Sequence, residues 1–264
     1  MDTEFFQKEI TKAASIFEKI SLQEMDGVKL MNRVDVKYLV PIHLLPEVLN
    51  EAKKHYRILE INNERLCAYQ TLYYDTADLA LYHNHQSGRL NRYKVRSRNY
   101  VASNLSFFEI KFKNQKGRTI KTRIKQPNNM EATLNDENTK FLNEITPLNA
   151  ELLKGNLMVD YQRMTLVCKT TAERLTIDIN LGFVSDLATK RFPEIAIAEV
   201  KQERLGASPV IDIFKKHALR EGSISKYCLG VMTTHEPVKH NRFKQKFLYL
   251  QKIVNQYKAI EAIG

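Results

Sequence analysis

The sequence has no tryptophan and only three cysteines, Cys67, Cys168 and Cys228, which lie far apart. With no C-x-x-C pair and an odd count, neither a disulfide framework nor a cysteine-built zinc site is expected. Buried thiols in a reducing cytoplasm are. No G-x-x-x-x-G-K-[ST] stretch exists, which excludes a recognisable P-loop. H-E-x-x-H and a Ser-His-Asp order are missing too. No apolar run approaches the ~20 residues of a membrane helix, and residues Met1–Phe6 lack the basic start and apolar core of a signal peptide. Acidic charge is also short: 30 Asp and Glu against 41 Lys and Arg leave a net charge of +11. Such a balance points to an acidic partner, whether nucleic acid, a membrane surface or a phosphate-rich small molecule. The length of 264 residues suits one large domain or two small ones, and 43% hydrophobic residues suffice for a real core.

The positive charge is patterned. Arg92, Lys94, Arg96 and Arg98 recur at every second position, and strand side chains alternate faces, so all four share one face. Same-face neighbours on a strand lie roughly 7 Å apart, where two unit charges repel by about 2 kcal/mol at an effective dielectric of ~20. Four aligned cations therefore need open water or an anion opposite them. The pattern repeats. Phe108–Lys113 places Glu109, Lys111 and Lys113 opposite Phe108, Ile110 and Phe112. Ile120–Lys125 repeats it with Lys121, Arg123 and Lys125, and Arg174–Ile179 with Arg174, Thr176 and Asp178. Arg33–Tyr38 and Glu199–Lys201 do the same near the two ends. One such strand is an ordinary half-buried edge. Several together predict a closed or strongly curled sheet, with charged faces inward around a polyanion and apolar faces outward under helices.

Periodicity predicts helices at 3–20, 43–56, 77–83, 136–154, 207–220 and about 239–262. It predicts strands at 31–40, 65–74, 91–98, 107–113, 118–125, 159–170, 173–183 and 195–201. Asp75 with Thr76 reads as a helix cap, His83 and His85 as surface histidines, and Tyr38, Tyr93 and Tyr227 as packing for the outer wall.

Taken in order, Arg33-x-Asp35-x-Lys37-Tyr38, Tyr74-Asp75-Thr76, Arg92-x-Lys94-x-Arg96-x-Arg98, Glu109-x-Lys111, Tyr161-x-Arg163, Arg174-x-Thr176-x-Asp178, Glu199-x-Lys201 and Ser225-Lys226-Tyr227 resemble the VTC domain. This is the catalytic domain of the eukaryotic vacuolar transporter chaperone polyphosphate polymerase, a branch of the triphosphate tunnel metalloenzymes that also include the CYTH proteins. The resemblance covers about residues 28–235. It implies an α+β chain: an antiparallel β-barrel tunnel with a basic interior, surrounded by α-helices, with one domain over 1–264. It implies catalytic roles for Lys37, Arg96, Lys111, Arg163 and Lys226. Phosphate binding would fall to Arg33, Arg92, Lys94, Arg98, Lys113, Lys121, Arg123, Arg174, Lys201 and Ser225. Glu199 would lead the metal ligands for Mn²⁺ or Mg²⁺, with Glu109 and Asp178 behind it. Many CYTH members begin with E-x-E-x-K, whereas here the positions are Arg33, Asp35 and Lys37. That loss of a carboxylate argues against the adenylate-cyclase and thiamine-triphosphatase branches.

The expected activity is transfer of the γ-phosphoryl group of ATP to a growing polyphosphate chain. A metal-dependent tripolyphosphatase or nucleoside triphosphatase on the same scaffold, or a non-catalytic polyphosphate receptor, stays open. Nucleic acid is not the expected partner. Base-readers interleave exposed aromatics with cations, but the alternate positions here include Val95, Ile110, Ile124 and Ile177. The basic C-terminal helix is expected to cover the barrel, with peripheral docking on a membrane protein or acidic lipid as the alternative.

Overall fold

The computed structural model describes residues 3–26, 33–204, 206–222 and 225–263. The expected starts of the core near 28 and of the first strand at 31 lie outside the described residues. Helix α1 runs Thr3–Ser15, not to 20, and is followed by strand β1 at Lys19–Ile20. The reason is Arg65, whose Nη1 caps the helix end by donating to the carbonyls of Ala14, Ser15 and Phe17 at 2.9, 2.7 and 3.1 Å. Next come α2 (Leu22–Asp26), β2 (Val34–Pro41) and α3 (Leu45–Ala52). The predicted helix over 43–56 stops early because Tyr56–Leu59 forms β3. Then follow β4 (Cys67–Asp75), α4 (Ala80–Gln86), β5 (Arg92–Tyr100), β6 (Leu105–Lys113) and β7 (Thr119–Gln126). Helix α5 covers Asp136–Ile145, capped by the Asn135 side chain, and ends ahead of Pro147. The long pair β8 (Lys154–Cys168) and β9 (Glu173–Val184) precedes β10 (Thr189–Phe192) and β11 (Ile195–Gln202). Helix α6 (Pro209–Lys216) is capped by Ser208; α7 (Lys226–Thr234) and α8 (Lys244–Ile263) complete the chain.

The main sheet has the order β2-β11-β9-β8-β4-β5-β6-β7, antiparallel at every step. Strand β10 pairs with β9, β3 with β8, and β1 runs parallel to β3. Among the described residues no further strand pairs with the outer edge of β2 or β7, and β2 is met there only by the short bridge from Tyr38 to Glu221. The strand pairing among the described residues does not close the sheet, so the expected closed barrel is not borne out. The composition of β7 fits an edge: it is mostly exposed, carries Lys121, Arg123 and Lys125, and runs into Pro127.

One face of the sheet is mainly apolar, with buried polar pairs such as Gln126–Ser106 and Gln202–Glu173 among its hydrophobic residues. Under α1, α3 and α6 lie Val36, Tyr38 and Val40 of β2, Leu175, Ile177 and Ile179 of β9, and Ala196, Ala198 and Val200 of β11. Beneath α5 lie Leu72, Tyr74, Val95, Phe108 and Ile110. These are the alternate positions expected to face outward, and helices cover them as expected. The other face is divided. One end is charged. The other is filled by Leu157, Val159, Tyr161, Leu181, Phe183, Ile195 and Ile197 under α7 and α8. A bulge makes the division possible. Asn180 adopts φ 55°, a left-handed conformation that Asn tolerates. The resulting register shift between Asp160 and Gln162 lets Leu181 and Phe183 continue the face of Asp178.

Candidate active site

Register alone assembles the charged end. Strand β2 presents Asp35 and Lys37 beside Lys201 and Glu199 of β11. Next to these stand Arg174, Thr176 and Asp178 of β9, and Arg163 of β8. Across β4 come Lys94, Arg96 and Arg98 of β5, Glu109 and Lys111 of β6, and Lys121 and Arg123 of β7. Cations outnumber carboxylates on these strands by more than two to one. Helix α7 adds Ser225 and Lys226 over this face.

Three carboxylates recur as the centres of one small motif, each bound to two cations. Glu109, fully buried, accepts from Arg96 Nε at 2.8 Å and Nη2 at 2.5 Å, and pairs with Lys121. Asp178 accepts from Arg163 Nε at 2.5 Å and Nη2 at 2.8 Å, and pairs with Lys226. Glu199 accepts from Lys37 Nζ at 2.9 Å and lies 3.3 Å from Lys201 Nζ. Burial pushes each carboxyl upward, but the adjacent cations override it. Arg96 holds Glu109, Arg163 holds Asp178, and Lys201 with Lys37 holds Glu199 well below the usual carboxylate range. These pairs tie down their cations, and at Glu109 and Asp178 they leave net positive charge.

Between the motifs, charge is less well compensated. Lys111 stands directly opposite Lys94 on one side and Lys121 on the other. Like charges at such close cross-strand positions are destabilising. The Arg96 charge, helped by burial, depresses the Lys111 amine well below its ordinary value. Lys94 is depressed mainly by burial and donates to Ser225 Oγ at 2.9 Å. Lys201 is brought down to about 8, mainly by burial, and donates to Thr176 Oγ1 at 2.8 Å.

The remaining expected residues fall at the margins. Arg33 precedes β2, is exposed, and pairs with Asp35 at 3.0 Å. Arg92 and Lys113 face each other at the strand ends, and Arg92 donates to the Arg89 carbonyl. Arg123 lies 4.1 Å over the Phe107 ring. Arg98 is the exception: it is buried within the charged face and donates to Thr71 Oγ1 at 3.1 Å. The three proposed metal carboxylates do not gather. Glu109 is separated from Asp178 by β5, β4 and β8. Among the described residues no group of three or more His, Cys, Asp or Glu side chains could hold a metal ion.

Several features escaped the sequence reading. Asp35 adjoins Glu199, so burial and then that neighbouring charge raise the Asp35 carboxyl. Tyr69 and Tyr161 stack at 5.3 Å on the charged face, with Arg163 lying 4.9 Å over Tyr69 and 5.3 Å over Tyr161. Tyr227 does not pack the outer wall; it stacks on Tyr73 at 4.9 Å. His85 is half-buried, not a surface histidine; burial and the nearby Lys94 and Arg92 push it down to about 2. The Tyr-x-Arg spacing of Tyr161 and Arg163 was the available signal for the tyrosines, since it puts both on one strand face. Nothing local marked His85.

Titration gives this site a testable signature. Lys201 binds its proton less tightly folded than unfolded, so between about pH 8 and its ordinary 10.5 the unfolded chain holds more protons. Stability therefore rises with pH across that window. A polyanion prefers the charged amine, so tripolyphosphate affinity in metal-free buffer should fall about five- to tenfold between about pH 7 and about pH 9.5. Lys201→Arg, which stays charged, should flatten that step. An unaltered step in this variant would assign the titration to another group.

Comparison with solved structures finds partial likenesses at low identity. A candidate adenylate cyclase from Vibrio parahaemolyticus is 14% identical with a TM-score of 0.43, covering 75% of this chain and 97% of the other. A candidate adenylyl cyclase from Hippeastrum, described as having a dominant triphosphatase activity, is 13% identical with a TM-score of 0.43 over 80% and 100%. The PH1012 protein of Pyrococcus horikoshii is 9% identical with a TM-score of 0.37 over 71% and 91%. No curated protein matches the sequence. A family model described as the VTC domain matches residues 32–235, which takes in every strand of the charged face and all of α7. By that match, the chain belongs to the VTC domain family.

Proposed function

We propose that this chain transfers the γ-phosphoryl group of ATP to the end of a polyphosphate chain laid along the charged face. The observation that carries this reading is the excess of cations on one sheet face, held by the buried Glu109 and Asp178 and the half-buried Glu199. Phosphoryl transfer asks mainly for positioning and charge neutralisation. Arg96, Arg98 and Lys111 form one phosphate grip, and Arg163, Lys201 and Lys226 another. Arginine supplies planar forks and lysine point charges. A terminal oxygen of the acceptor polyphosphate forms the new bond to Pγ while the bond from Pγ to the β-phosphate bridging oxygen breaks and ADP leaves. No side-chain nucleophile is required.

A divalent cation fits the chemistry of Asp35 and Glu199. Mg²⁺ takes one or two carboxylates plus phosphate oxygens, and here two carboxylates lie close enough for one to raise the other. Bound there, Mg²⁺ or Mn²⁺ would neutralise phosphate charge. Without it, Lys37 and Lys201 occupy Glu199.

The test is purified protein with ATP and Mn²⁺, with products resolved by gel. A ladder of polyphosphate is the expected result. Free phosphate without polymer would make the chain a hydrolase, and tight tripolyphosphate binding with no turnover would make it a receptor; either overturns the proposal. Glu199→Ala should keep tripolyphosphate binding in metal-free buffer within about threefold, because two lysines are released to the ligand. The same variant should lose metal-dependent turnover. Intact turnover with unchanged metal dependence would remove Glu199 from the metal site.

A further inference from the structure

Ser225 and Lys226 reach the charged face from a helix, unlike the strand-borne cations around them. Their placement depends on how deeply α7 sits. Asp75, at the end of β4 and only 1% exposed, lies at the centre of that seating. Its Oδ1 accepts from the backbone N–H groups of Thr76 and Leu81, both at 2.8 Å. Its Oδ2 accepts from the Tyr82 N–H at 2.9 Å and from the Tyr227 hydroxyl. One carboxylate therefore ends β4, starts α4 and holds the second residue of α7. A helix cap needs only the backbone donors, which an exposed serine or asparagine satisfies as well. Burying a full charge is costly unless it is paired and hydrogen-bonded, and the additional Tyr227 donor points to a purpose beyond capping.

The surroundings transmit that seating to the site. The Tyr227 ring stacks on Tyr73, whose hydroxyl accepts from Arg96 Nη1 at 3.3 Å. Lower in α7, a Cβ on Gly230 would lie 2.4 Å from Leu157 and 2.6 Å from Phe183, so the helix rests directly on the sheet. One residue from Tyr227, Lys226 meets Asp178, and Ser225 Oγ accepts from Lys94.

We propose that Asp75 and Tyr227 are positioning residues: their hydrogen bond sets the depth of α7 and so delivers Ser225 and Lys226 to the bound phosphate chain. This rests on reading the charged face as a polyphosphate site. Tyr227→Phe is the informative variant, since it keeps the ring and its stack on Tyr73 and removes only the donor.

Two measurements test it. In the ligand-free protein, modification of the Lys226 amine by an acylating reagent, followed by mass spectrometry, should accelerate about fivefold in Tyr227→Phe, with Lys37 unchanged. By calorimetry, Tyr227→Phe should weaken tripolyphosphate binding about tenfold, but less than about twofold in a Lys226→Ala background, because the two changes remove the same contact. Unchanged Lys226 reactivity overturns the proposal. So does an equal loss of affinity in both backgrounds, which marks general loosening. A wild-type chain that binds no tripolyphosphate sinks the polyphosphate reading and the delivery of Lys226 to phosphate with it. The labelling result needs no ligand and still decides whether the hydrogen bond seats α7.

Discussion

Glu109→Gln should lower the free energy of unfolding by about 3–5 kcal/mol, the range for breaking a buried ion pair from one side. Glutamine keeps the volume and the hydrogen-bonding capacity but removes the charge that Arg96 and Lys121 face. Arg96, at 7% exposure, would then be a buried cation next to Arg98 and Lys111 with nothing opposite. Added tripolyphosphate should restore much of the loss, because it supplies the missing negative charge to the folded state alone. In wild type the Glu109 contribution is complete above the ordinary carboxylate value of 4.5 and fades as pH falls below it, since the folded pKa is the lower one. The variant should lack that acid-limb decline. Chemical denaturation with and without tripolyphosphate checks this. A loss under about 1 kcal/mol would show that the pair is solvent-screened like a surface bridge.

Lys111→Met should do the reverse: raise the melting temperature of the ligand-free protein while weakening tripolyphosphate binding about tenfold to a hundredfold. Lys111 pays for its position, lying between Lys94 and Lys121 with its amine depressed by Arg96. Removing it relieves two like-charge cross-strand pairs, each costing up to ~1 kcal/mol. Methionine keeps the length of the apolar stem. Opposite signs for stability and affinity in one variant are what a site poised for an absent anion predicts. Thermal melts and calorimetry on the same preparation measure both. A variant that melts lower, or that binds tripolyphosphate as wild type does, would remove Lys111 from the ligand and make it a structural lysine.

Much of this was legible because it is local. The period-two alternation in Arg92–Tyr100 and in the β6–β7 hairpin fixes which side chains share a face, and the cores under α1, α3, α5 and α6 hold the complementary positions. Three kinds of feature were not legible. Short strands such as Lys19–Ile20 and Thr189–Phe192 carry too few residues for a period to emerge. Edge closure depends on whether β2 meets β7, which no local pattern encodes. Partner choice across the fold was equally hidden: Lys226 finds Asp178, 48 positions away, and Tyr227 finds Asp75, 152 positions away. The bulge at Asn180 also defeats simple alternation, since a strand read with strict period two sends Leu181 and Phe183 to the wrong side.

That bulge has a kinetic consequence. On either side of it, the same two strands are held by unlike forces: fat and helix at one end, opposed charges at the other. Transient opening should therefore travel inward from the ionic end and halt near Tyr161, so that amide exchange along β8 and β9 shows a boundary partway down each strand and not a uniform fray. A captured polyanion would move that boundary outward without touching the slow half.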